Sequence, residues 1–135
     1  LHAAVHDALA CAAGAPTLAE LLWAALRRRG QAFVEDRVAA YRLMCGLARR
    51  QWGANEVCAH AELLDALLDT RGETGHRACT WRHAAVCALA ATFEAAVGLD
   101  DDGAAHCTRL LAAARAGTYG EQARSGAAVP QVALM

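Results

Sequence analysis

His60-Ala-Glu-Leu-Leu-Asp-Ala-Leu-Leu-Asp-Thr-Arg-Gly72 is the stretch whose reading decides the fold, because the chain carries it twice. Leu18-Ala-Glu-Leu-Leu-Trp-Ala-Ala-Leu-Arg-Arg-Arg-Gly30 lies 42 residues earlier, and eight of the thirteen positions are identical. The identities include Glu20/Glu62, Leu21/Leu63, Leu22/Leu64 and Gly30/Gly72. A fainter third copy begins at Cys107, with Leu110, Leu111 and Ala113 in the matching places. A unit of about 40 residues recurring this way marks a helical repeat, in which one unit cannot bury its apolar face alone and stacks on the next.

Working outward, each copy has the spacing of an amphipathic helix. Leu18, Leu21, Leu22, Ala25 and Leu26 form one stripe, and His60, Leu63, Leu64, Leu67 and Leu68 form the other. The two Leu-Leu pairs are expected at equivalent depth. Thr17 with Glu20 makes a capping box for the first copy, and Arg27, Arg28 and Arg29 in its last turn complement the helix dipole. Upstream, residues 1–13 read as a helix with Val5 and Leu9 on one face, ended by Gly14-Ala15-Pro16. Between the copies, Phe33 and Val34 are expected in the seam, followed by a helix over 36–52. The next helix starts at an Asn55 cap and runs through the second copy to Gly72. A fifth helix, capped by Thr80, places Val86, Leu89, Ala90, Phe93 and Val97 on its core face. Asp100-Asp101-Asp102 suits the N-terminus of a sixth helix over 104–116; read as a calcium loop it fails, because position twelve is Leu111.

The pattern predicts an all-α chain, an α-solenoid of about three helix-turn-helix hairpins (1–30, 37–72 and 80–117) with an extended C-terminal tail. Residues 1–117 make the helical domain. Residues 118–135 have no helical period, yet Val129, Val132, Leu134 and Met135 are apolar, so this tail is expected to lie on a partner surface.

Composition agrees with helices. Alanine occurs 36 times, isoleucine is absent, and hydrophobic residues reach 56%. All thirteen basic residues are arginine, and the net charge of −1 favours no class of partner by bulk electrostatics. No apolar run is free of charge for long enough to span a membrane. Six cysteines sit inside apolar helical patterns and no secretory signal pattern is visible, so the thiols are expected reduced and mostly buried.

Glu35-Asp-Arg-Val-Ala-Ala-Tyr-Arg-Leu-Met-Cys-Gly-Leu-Ala-Arg49 resembles the opening of a pentatricopeptide repeat, with Asp36, Val38, Leu43, Met44, Gly46, Leu47 and Arg49 in the favoured places. Residues 18–30 and 60–72 are similar to the second helix of that repeat. The period departs from it: family repeats are close to 35 residues, whereas Gly30 to Gly72 is 42 and Gly72 to Gly117 is 45. That longer period is nearer HEAT-type helix pairs, and a non-repeat helical bundle also stays open. The resemblance implies an RNA-facing groove on the first helix of each hairpin. Tyr41 and Arg42 fall at the base-reading register of the second hairpin, Arg82 and His83 at that of the third. The family's usual reading pairs are missing there. What the resemblance implies is therefore a non-catalytic subunit of a ribonucleoprotein assembly, of mitochondrial ribosome or RNA-processing type, with Arg42, Arg49, Arg50 and Arg82 on RNA and protein subunits as neighbours. The alternative is a protein-interaction adaptor that does not touch RNA.

Other chemistry is poorly represented. His76, Cys79, His83 and Cys87 have zinc-type ligands, but only His83 and Cys87 share a helical face, and the paired knuckles of a zinc ribbon are absent. Ser125 is the single serine, and no cysteine stands in a recognisably electropositive setting. No enzyme activity, cofactor, metal or small-molecule substrate is expected.

Overall fold

The computed structural model describes residues 17–119. The readings for residues 1–13 and for the tail residues Val129, Val132, Leu134 and Met135 lie outside the described residues. Within them are six α-helices and no strand: α1 (Leu18–Leu26), α2 (Val34–Leu47), α3 (Gln51–Ala59), α4 (Ala61–Leu68), α5 (His76–Ala95) and α6 (Asp101–Ala116). A 3-10 turn at Gln31–Phe33 precedes α2. None of these helices is long and apolar enough to cross a membrane.

Local chemistry sets the boundaries. The Thr17 hydroxyl accepts a hydrogen bond from the Glu20 N–H at 3.2 Å, the N-cap contact expected for α1. Gly30 follows with φ of 102°, a turn that an L side chain would strain. The Asp100 carboxylate accepts from the Gly103 N–H at 2.7 Å, so the aspartate run caps α6 and fills its first turn, three residues earlier than the spacing predicts. The helix expected over 55–72 is two helices. His60 leaves the helical backbone (φ −91°, ψ 101°), and its Nδ1 accepts from the Leu63 N–H at 3.1 Å, so it caps α4 instead of joining the buried stripe. The expected helix over 36–52 ends at Leu47, and Gly53 lies in the first turn of α3. There a Cβ would run into the Leu47 carbonyl, so the close approach of two helix ends requires glycine.

The core gathers Leu22 and Leu26 of α1, Tyr41 and Met44 of α2, Leu63, Leu64 and Leu67 of α4, Leu89 and Phe93 of α5 and Leu110 of α6. The two Leu-Leu pairs are not at equal depth. Leu63 is fully buried, whereas Leu21 is 52% exposed. α4 is covered by α1, α3 and α5, while the outer side of α1 meets no other described helix. Val97, expected in the core, is 98% exposed because α5 stops at Ala95. Phe33 is exposed as well and lies under the Arg28 guanidinium at 5.8 Å.

Contacts between distant residues share a spacing. Arg77 bonds Glu35 across 42 residues, Arg29 bonds the Gly72 carbonyl across 43, and Arg109 bonds Asp65 across 44. Thr92 donates to the Ala48 carbonyl across 44, and His76 meets the Tyr119 hydroxyl across 43. From 35–77 through 42–81 to 48–92, α2 and α5 therefore run side by side in the same direction.

Two interior arginines fasten the ends of these helices. Arg37 makes a two-pronged ion pair with Glu73, Nε to Oε2 at 2.6 Å and Nη2 to Oε1 at 3.0 Å. Its Nη1 donates to the carbonyls of Arg28 and Gly30, beyond the end of α1. Tyr41 donates to the same Glu73 carboxylate at 2.7 Å. The bond to Glu73 raises the Arg37 pKa; burial, then Glu73, pushes the Tyr41 phenol far above its ordinary value. Arg82 on α5 makes a related bridge without a carboxylate: it is 2% exposed, donates to the Leu67 carbonyl at the end of α4 and to the Thr118 carbonyl beyond α6, each at 2.9 Å, and its Nε has no partner among the described residues.

Two stability measurements test this packing by urea denaturation. Leu63→Ala should cost about 2–5 kcal/mol, the range for a buried leucine; Leu21→Ala should cost less than about 0.5 kcal/mol, as exposed substitutions do. Equal losses would mean that α1 and α4 are covered alike. Glu73→Ala strands a buried guanidinium and should cost about 3–5 kcal/mol; a loss under about 1 kcal/mol would show that the Arg37 ion pair is replaced by water without penalty.

Candidate functional site

The four arginines singled out by sequence do not share a surface. Arg42 is exposed on α2 with its guanidinium 5.2 Å from the centroid of the Trp81 ring. Arg49 and Arg50 are exposed in the turn after α2, about two turns further along. Arg82 is interior, and both of its terminal nitrogens are taken by carbonyls. Tyr41, at the other base-reading register, is fully buried on Glu73. A helical period places a residue on a face; it does not say whether the next hairpin covers that face, and here it does.

The histidines and cysteines also have separate partners. His76 Nδ1 is 2.7 Å from the Tyr119 hydroxyl, and the Cys79 thiol donates to the Glu73 carbonyl at 3.4 Å. Cys87 Sγ is 3.3 Å from His83 Nε2. Among the described residues no three His, Cys, Asp or Glu side chains group so as to hold a metal ion. Burial pushes the Cys58 thiol up to about 12, with Arg109 acting weakly the other way, and burial also raises Cys45, Cys79 and Cys87. These settings hold the thiols protonated and make them poor nucleophiles.

Two concave surfaces formed by the described residues lie apart from these groups. The first is a groove of about 460 Å³ between α1 and α2. Its walls are Leu18, Leu21 and Ala25 on α1 and Ala39 and Leu43 on α2, with Arg28 and Asp36 as its charged members. Leu21 and Leu43, 52% and 48% exposed, are large apolar side chains facing outward on neighbouring helices. The sequence signal for it was present: Leu43 lies outside the α2 core stripe of Val38, Tyr41 and Met44, and an apolar residue off the stripe is a candidate contact. The second is a cleft of about 690 Å³. Gln51, Asn55 and Cys58 of α3 form one wall, and Asp102, His106 and Arg109 of α6 form another. Its floor includes Leu64, Phe93 and Leu99, and the His106 ring meets Phe93 edge-on at 6.1 Å.

His83 gives a pH test of the α5 environment. Burial, with the Arg82 charge adding to it, holds its pKa below the ordinary value. The unfolded chain, titrating near 6.5, then binds more protons than the folded chain below that pH. Stability is therefore unaffected by His83 above that range and falls as pH drops through the window between about 6.5 and the lowered folded value. His83→Gln should flatten this part of the decline between pH 7.5 and 5.5 in denaturation midpoints; an unchanged decline would mean that the imidazole titrates as it does in water.

Compared with known proteins, the chain matches no family model, no curated protein and no solved structure.

Proposed function

We propose that this chain is a non-catalytic helical-repeat adaptor that binds protein and does not contact RNA. The observation that carries the reading is the α1–α2 groove, with Leu21 and Leu43 turned to solvent and Arg28 and Asp36 beside them. The α1 side of the groove runs from Leu18 to Arg28, about 15 Å at 1.5 Å per residue, which suits roughly three turns of a partner's amphipathic helix. Each leucine taken fully out of water contributes about 1.5–3 kcal/mol. The contacts spaced by 42–44 residues, and the two arginines that each fasten the end of a preceding helix, support a stack of hairpins over an irregular bundle.

The ribonucleoprotein reading keeps Arg49 and Arg50 as exposed cations and Arg42 as a third, over Trp81. It needs Tyr41 and Arg82 at an RNA face, and both are interior. The adaptor reading requires no such residues.

Photo-crosslinking from positions 21 and 43 in the 135-residue chain, with its copurifying partners, should give crosslinks to a helix of another protein. The double variant Leu21→Asp/Leu43→Asp should weaken that association at least about 100-fold, the loss of two such anchors, with a folding midpoint close to the parent's. Crosslinks only to residues 1–13 of the same chain would overturn the reading, because the groove would then be filled from within. RNA crosslinks at Arg49 and Arg50, with binding that falls steeply as salt rises, would favour the ribonucleoprotein subunit.

A further inference from the structure

The larger cleft lies away from the α1–α2 groove and differs from it in chemistry. Its α3 wall carries Gln51, Asn55 and Cys58 at i, i+4 and i+7, one helical face. The α6 wall carries Asp102, His106 and Arg109 at the same intervals. Between these two walls Leu64 and Phe93 are buried, and Val97 and Leu99 are the accessible apolar side chains.

The hydrogen-bonding capacity of the α3 ladder is specific. Gln51 Nε2 donates to Asn55 Oδ1 at 2.9 Å. A side-chain amide offers two donors and an acceptor, so the pair retains the Gln51 carbonyl as an acceptor and the Asn55 amino group as a donor. One open acceptor beside one open donor is the complement of a peptide group. The span from Gln51 to Cys58 is about 10 Å at 1.5 Å per residue, the length of three residues of extended chain at about 3.3 Å each.

The charges on the α6 side add a second requirement. Arg109 is committed to Asp65 at 3.0 Å, and the Asp100 carboxylate caps Gly103. Asp102 is exposed and has no ion pair among the described residues. The wall therefore offers an unmatched carboxylate one helical turn from an imidazole that rests on Phe93.

We propose that this cleft binds an extended segment of a protein partner, holding its backbone on Gln51 and Asn55, an apolar side chain on Val97 and Leu99 and a basic side chain at Asp102. The interior of an amphipathic helix, the occupant argued for the other groove, has its peptide groups paired within the helix and offers such amides only its terminal ones. This site is independent of that one, and either can fail alone.

The probe is acetyl-Ala-Leu-Arg-Ala-amide, titrated into the isotopically labelled 135-residue chain and followed by amide chemical shifts, with the Glu-for-Arg peptide as its control. Saturable shifts should centre on Asn55, Asp102 and His106. The glutamate peptide should bind about fivefold more weakly, the scale of an exposed ion pair. Asp102→Asn should abolish the difference between the two peptides. Asn55→Ala should weaken both by about fivefold, as loss of one backbone hydrogen bond does. Equal binding of both peptides, or no saturable shift at the cleft, overturns the proposal. Shifts centred on Leu21 and Leu43 overturn it too, and leave the adaptor reading standing. Contacts of Val129 or Val132 of the chain itself with Leu99 would show that the segment the cleft holds is its own, and would also overturn it.

Discussion

The ion pair between Arg37 and Glu73 is the constraint on which the arrangement depends. Both side chains are removed from water, and a buried charge is tolerated only when its partners are complete. Arg37 has a carboxylate for two nitrogens and carbonyls for the third, and Glu73 gains Tyr41 besides. The groups come from α2, from the turn after α1 and from the turn after α4. Any slip between these segments would leave a charge or a carbonyl unmatched, so the set fixes how α2 seats against the ends of α1 and α4. Apolar contact alone would permit several registers, because alanine and leucine pack acceptably in many positions. Arg82 links α4, α5 and a residue after α6 through carbonyls on its two terminal nitrogens, and its unsatisfied Nε makes it the less complete of the two.

Local features were the legible ones. Thr17 and Glu20, Gly30, and the Leu63–Leu64–Leu67 stripe could each be read from a dozen residues, since caps and helical period act within that range. His60 was read as part of the stripe because i, i+3 spacing to Leu63 fits both a buried neighbour and an N-cap; the ring nitrogen's bond to the Leu63 N–H decides it. Leu21 and Leu63 occupy the same place in the repeated sequence stretch but have different neighbours in the fold, and exposure follows the neighbours, not the sequence. Arg37, Glu73 and Arg82 carry no local mark of burial. Charged residues are seldom interior unless paired, and their partners lie 36 residues away or are backbone carbonyls. The cleft walls were hidden for the same reason, as Asn55 and His106 come to one cleft only because α3 and α6 both pack on α5.

The two concave surfaces would serve different kinds of recognition. Burial at Leu21 and Leu43 gives affinity that salt scarcely changes and a large heat-capacity signature. The α3–α6 cleft has one unmatched carboxylate and a pair of amides, so it would discriminate between sequences more than it would add affinity. On the two proposals together, one chain would hold a folded element at one place and an extended one at another.

Trp23 beside His60 and Arg29 on Gly72 align α1 with α4, and Asp65 on Arg109 with Leu67 and Thr118 both on Arg82 align α4 with α6, so the three run in one direction, with an electrical consequence. Their first turns carry Glu20, Glu62, Asp101 and Asp102, while Arg27, Arg28, Arg29, Arg71 and Arg115 cluster at or after their far ends. Arg50, next to Gln51 on the cleft wall, tempers the acidic edge. Each side-chain charge exceeds the half charge of a helix terminus, so among the described residues charge is separated along these three helices. Such a particle feels a torque before it feels contact. A charged neighbour would turn it during diffusion, so that one edge leads, and the fraction of encounters that are productive would shrink as added salt shortens the field to about 8 Å.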